Sequence, residues 1–151
     1  SPIKTDFQWV DLAFKPVDID SFKNDLVGTN KFLQRRAQLM MEAYNKGWDV
    51  SKYPYGVQAI RLGESFTLLA LSGEVVVDYS LRTKKEYPKE NVFVAGYCNE
   101  VMCYIPSKRI LKEGGYEAEL NMIYYGMPGP FETGIEEKIM EAINKTMKKI
   151  N

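Results

Sequence analysis

The chain has 151 residues, 45% of them apolar and 26% charged, the balance of a globular protein long enough to bury its own core. Twenty basic and twenty acidic side chains cancel, so no excess positive charge argues for nucleic acid or an anionic membrane surface, and no apolar run is long enough to span a bilayer. There is no histidine, which removes the commonest zinc ligand and general base from whatever this chain does by itself. The N-terminal residues carry no basic start and apolar stretch of the signal-peptide kind, and a chain opening on Ser1-Pro2 is expected to be a segment of something longer.

In chain order, residues 6–15 are rich in aromatic and apolar side chains with partial alternation and stop at Pro16, the pattern of a strand. Asp20 and Ser21 are candidate caps for a short helix through Val27. Asn30 caps a longer helix, 31–46, whose Phe32, Leu33, Ala37, Met40, Met41 and Tyr44 recur at helical spacing, with the methionine pair read as core filler. Residues 48–56 read as an irregular connection around Tyr53-Pro54-Tyr55. Two strands, 57–62 and 65–71, flank Gly63-Glu64, a type II′ hairpin signal, and the unbroken apolar run of the second marks it as central.

Ser72-Gly73-Glu74 ends that strand, and 75–86 is expected to be helical despite three consecutive valines. Val92 to Ala95 is a further strand, stopped by Gly96. Strand, helix and strand in succession form a βαβ unit with parallel strands, which brings Glu74 and the loop 96–104 to one edge of the sheet. That loop is dense in Tyr97, Cys98, Asn99, Cys103 and Tyr104, an unusual composition for a connection, fitting either a half-buried segment or a site. Two cysteines are too few for a zinc cluster and are read as free thiols. A short helical turn follows at 108–113, then a strand at 120–125. Thr133 and Glu136 form a capping-box pattern before a terminal helix, 134–149, with Ile135, Ile139, Ala142, Ile143 and Met147 on one face. The fold class is α/β: a mixed sheet with a βαβ unit and flanking helices, in one segment that forms part of a larger domain.

Four stretches in order, L-S-G-E-V-V-V-D-Y at 71–79, V-A-G-Y-C-N-E-V-M-C-Y-I-P-S at 94–107, E-G-G-Y-E at 113–117 and I-Y-Y-G at 123–126, resemble the latter part of the catalytic domain of the neutral (non-lysosomal) ceramidase family. The resemblance implies zinc-dependent hydrolysis of the N-acyl amide of ceramide or a related lipid amide. It also implies that Glu74 and Tyr104 are metal ligands and that Tyr116 stands near the scissile carbonyl. The family's two zinc-binding histidines belong to an earlier part of the domain. This chain is therefore expected to need that histidine-bearing part as its partner, to bind no zinc and be inactive alone, and to self-associate through the face the missing part would cover. The parent is expected to be exported. Two other readings stand beside this one: a stand-alone module whose tyrosine-rich rim binds a lipid or a protein, and a structural α/β subdomain.

Overall fold

A computed structural model describes residues 3–151. Strand β1, Ile3–Ala13, pairs antiparallel with β2, Lys52–Leu62, which pairs antiparallel with β3, Phe66–Leu71. β3 in turn pairs in parallel with β5, Val92–Ala95, so the sheet order is β1-β2-β3-β5 and the sheet is mixed. Between β3 and β5 the chain makes a two-residue strand β4, Glu74–Val75, and helix α3, Val77–Glu86. The expected βαβ unit is present, with β4 inserted ahead of its helix. β3 lies between two neighbours, as its continuous apolar run requires.

The sheet has two unlike faces. Leu12, Val57, Ala59, Leu69 and Leu71 are fully buried and join the core that helix α6, Ile135–Ile150, closes with Ile135, Ile139, Ile143 and Met147. Burying side chains of this size contributes about 1.5–3 kcal/mol each as an upper bound. The stacked rings of Phe14 and Phe131, 4.7 Å apart, pin the end of β1 to the loop that leads into α6. The opposite face, carrying Ile3, Phe7, Trp9, Leu62 and Phe93, is open. Alternation along β1 puts one set of side chains on each face: Val10 and Leu12 reach the core side, where Lys4, Asp6 and Gln8 precede them, while Ile3, Phe7 and Trp9 make the open side apolar.

Helices α1, Ile19–Leu26, and α2, Lys31–Asn45, form a hairpin with a small core of its own around Phe22, Ala37 and Met40. Asn30 caps α2 as expected, its Oδ1 accepting from the N–H groups of Phe32 and Leu33. α1 is capped by Asp18, which accepts from Asp20 N, and not by Asp20 or Ser21.

Five further boundaries differ from expectation. β1 spans 3–13, not 6–15. β2 begins at Lys52, taking in the supposedly irregular Tyr53-Pro54-Tyr55. Pro54 is tolerated because β3 pairs with β2 only from Val57 onward, so β2 has one sheet neighbour there. The β2–β3 turn holds three residues, Gly63 to Ser65, with Leu62 opposite Phe66, and not the two-residue II′ turn. α3 starts at Val77, because Glu74 and Val75 are used in β4. The Thr133–Glu136 capping box does not form: Gly134 occupies the N-cap without a side-chain bond. Glu136 instead accepts from Arg82 at 2.7 Å and from the backbone N–H of Lys108 at 2.7 Å.

Candidate functional site

The chain leaves β3 through Ser72 and Gly73, and Gly73 turns it with a φ of +71°. A Cβ there would lie 2.8 Å from Ile105 Cγ1 and 2.9 Å from Met102 Sδ, so glycine is required twice, by conformation and by space. The Gly73 N–H donates to Glu100 O (2.7 Å) and its carbonyl accepts from Tyr97 N (2.8 Å). Glu74 N then donates to Cys103 O (2.9 Å) and Val76 N to Ile105 O (3.2 Å). These bonds join β4 in parallel to β6, Tyr104–Ile105, with Glu74 opposite Tyr104 and Val75 opposite Ile105.

The loop 96–103 reaches this pairing by two residues in the left-handed region, Tyr97 (φ 57°) and Asn99 (φ 64°), a cost that non-glycine residues bear only where surrounding bonds fix them. Cys98 N donates to Leu71 O, Asn99 Nδ2 lies 3.5 Å from Gln58 Oε1, and the Tyr53 hydroxyl donates to the Glu100 carboxylate. Cys98 is half-buried and Cys103 buried, and the two form no disulfide. Burial, helped by the nearby Glu100 carboxylate, pushes the Cys103 thiol up to about 12, which makes it an inert packing group.

Behind β6, helix α4, Lys108–Glu113, is capped by Ser107, whose Oγ accepts from Ile110 N and donates to Asp78. Asp78 is held below the usual carboxylate range by Arg109 first and Ser107 second. The buried Tyr79 hydroxyl donates to Pro106 O at 3.0 Å. Next comes a π-helical turn, Tyr116–Leu120, that runs into α5, Asn121–Tyr125. The strand expected at 120–125 is therefore absent. The physical reason is Asn121, fully buried: its Nδ2 donates to the carbonyls of Tyr116 (2.8 Å) and Glu117 (3.0 Å), and its Oδ1 accepts from Tyr104 N (3.1 Å). One side chain thus winds the turn and fastens it to β6.

The outcome is a cluster around one half-buried carboxylate, with Tyr97, Tyr116 and Tyr124 exposed at its rim. The phenols of Tyr104 and Tyr97 both face Glu74. The neighbouring carboxylate pushes the Tyr104 phenol up to about 12 and raises Tyr97 for the same reason. Tyr116 packs edge-on against Tyr104, centroids 5.7 Å apart, and the row continues through Tyr124 at 6.3 Å to Phe32 of α2 at 4.8 Å. The three residues singled out from sequence, Glu74, Tyr104 and Tyr116, are together. Tyr97 belongs to the loop expected beside Glu74, whereas Asn121 has no place in the sequence reading. The only sequence signal for Asn121 is an amide sitting between apolar neighbours.

The donor set is one carboxylate with two protonated phenols, oxygen donors of which the phenols become anionic only if a bound dication displaces their protons. Among the described residues no group of three His, Cys, Asp or Glu side chains converges. Glu74 and Tyr104 are thus two oxygen donors, fewer than the three or four protein ligands a zinc site ordinarily has. Comparison with protein-family models, with curated proteins and with solved structures finds no match for this chain.

Proposed function

We propose that this chain is the C-terminal portion of a ceramidase-like, zinc-dependent amidohydrolase, in which Glu74 and Tyr104 supply two oxygen ligands and a histidine-bearing part supplies the rest. The observation that carries this reading is the β4–β6 pairing, which sets Glu74 opposite Tyr104 with both residues half-buried. When bound, zinc would polarise the amide carbonyl and activate water for attack on it. Glu74 brings full negative charge to the site, and Tyr104 brings a phenol whose proton a dication would displace, inverting the upward shift its carboxylate neighbour imposes. Tyr116, 45% exposed and edge-on to Tyr104, is the group to donate a hydrogen bond to the oxyanion that develops on the carbonyl, a contribution of about 3 kcal/mol in comparable sites. Asn121 positions both tyrosines through backbone bonds.

The substrate is a lipid amide, and the missing partner covers the open sheet face. Trp9, 65% exposed, and Phe93, 58% exposed, are on that face, as are Ile3 and Leu62. A run of exposed apolar side chains across paired strands is the kind of surface that proteins cover. Without its partner the chain would bury this face against a second copy of itself.

The test is fatty-acid release from an N-acyl sphingosine by the chain alone and by the chain joined to the histidine-bearing part of its parent. The chain alone is inactive, the joined protein is active, and Glu74→Gln or Tyr104→Phe removes the activity. Full activity in the joined Glu74→Gln protein would reject the assignment. The exposed tyrosine row also supports a second reading, a non-catalytic module that binds a lipid or a protein. It is distinguished by ligand binding that survives Glu74→Gln.

A further inference from the structure

A cavity of about 460 Å³ opens between the end of β1, the α1–α2 hairpin and the segment entering β2, and neither Glu74 nor Tyr104 lines it. Its volume is that of a small-molecule pocket. Phe14, Phe22, Met40 and Val50 wall it, and methionine with aromatic rings makes a surface that adapts to a flexible apolar guest. Two large aromatics at its mouth, Tyr44 and Trp48, are 60% and 61% exposed. Exposed indole and phenol rings beside an apolar cavity have an apolar body to bury and a polar tip to leave in water.

Polar groups are few and they are not equivalent. Asp49 is committed within its own turn, accepting from Ser51 N at 2.9 Å and from Ser51 Oγ at 2.6 Å. Lys15 makes no ion pair among the described residues, although it lines the cavity. A second ammonium, Lys46 Nζ, sits 4.6 Å above the Trp48 ring at the same mouth, shared with Glu42. The interior therefore offers burial to a hydrocarbon and almost no hydrogen bonds, while the rim offers an uncommitted positive charge.

We propose that this cavity binds a single-chain amphiphile with an anionic head, its alkyl chain against Phe22 and Met40 and its head at Lys15. The site is independent of the zinc half-site. Affinity comes from apolar burial, since the chain has no net charge to draw an anion from a distance. Lys15 selects among head groups.

The experiment uses the full chain carrying Trp9→Phe, which leaves Trp48 as the sole tryptophan. Dodecanoate, dodecanol and dodecyltrimethylammonium are titrated below their micelle concentrations while Trp48 fluorescence is followed. Dodecanoate should give a saturable change and bind more tightly than the trimethylammonium. Lys15→Gln should weaken dodecanoate about fivefold, the size of a partly solvated ion pair, and leave dodecanol unchanged. Val17→Phe, which narrows the mouth at a half-exposed position, should weaken all three. No saturable change with dodecanoate, or equal affinity for the anionic and cationic probes, would overturn the proposal. So would an unaltered dodecanoate affinity in Lys15→Gln, a surface change that leaves the fold intact.

Discussion

Glu74 and Tyr104 are register partners in a two-strand parallel pair that stands apart from the main sheet. Parallel partners present neighbouring side chains on a shared face, so the carboxylate and the phenol meet without either belonging to a rigid central strand. The pairing is held by the backbone of Gly73, Cys103 and Ile105 and by the amide of Asn121, all of them buried or short of space. The site is exposed, yet its scaffold is fixed from below.

The coupling between the two side chains is measurable. The Glu74 carboxylate is the main cause of the upward shift of Tyr104 to about 12. Glu74→Gln should bring that phenol back toward the ordinary tyrosine value of about 10. Tyrosinate absorbance through an alkaline titration, with Tyr104→Phe identifying the component, reads it. An unchanged titration would separate the two groups.

Gly73 is the residue on which the scaffold turns. Gly73→Ala places a Cβ against Ile105 and Met102 at a φ that L-residues avoid, and should cost about 2 kcal/mol or more. Urea unfolding gives the number. It should also disturb the Glu74–Tyr104 pair, seen as a shifted tyrosine titration in the same variant.

Two buried tyrosines should respond oppositely to loss of their hydroxyls. Tyr79 donates to Pro106 O, so Tyr79→Phe strands a carbonyl and should destabilise by about 1–3 kcal/mol. The Tyr55 hydroxyl is equally buried and has no hydrogen-bond partner among the described residues, so Tyr55→Phe should be neutral or stabilising. Thermal midpoints of the pair test this directly.

Stability should also fall on the alkaline side. Burial raises the Cys103 thiol to about 12 and drives the phenols of Tyr55 and Tyr79 well upward. A group whose value is raised by folding contributes fully below its unfolded value and loses that contribution as pH climbs toward the folded one. Stability should thus hold to about pH 8, fall from about pH 9 as unfolded thiol ionises, and fall more steeply above about pH 10 with tyrosine. Cys103→Ala should remove the part of the slope between about pH 9 and 10. Unfolding midpoints against pH supply both curves.

Much of this was legible in the residues. Helical spacing and a good cap gave α2, and the apolar run of β3 followed by helix and strand gave the parallel pair with β5 and the meeting of Glu74 with loop 96–104. What was not legible depends on contacts remote in sequence. Leu120 to Tyr125 has strand-like composition, but Asn121 bonds to Tyr116, Glu117 and Tyr104 and winds it into a helix. Glu136 has the spacing for a capping box, but Arg82 and Lys108 claim its carboxylate. The π-helical turn and the left-handed Tyr97 have no local signature, because tertiary bonds impose them.

Calorimetric titration with zinc tests most directly the proposal that Glu74 and Tyr104 are half of a zinc site. The chain alone should retain no stoichiometric zinc after dialysis, since losing two of four ligands removes most of the affinity. Joined to the histidine-bearing part, it should bind one zinc tightly, and Glu74→Gln should abolish that binding. Tight stoichiometric zinc on the isolated chain, or on the joined Glu74→Gln protein, would contradict the account.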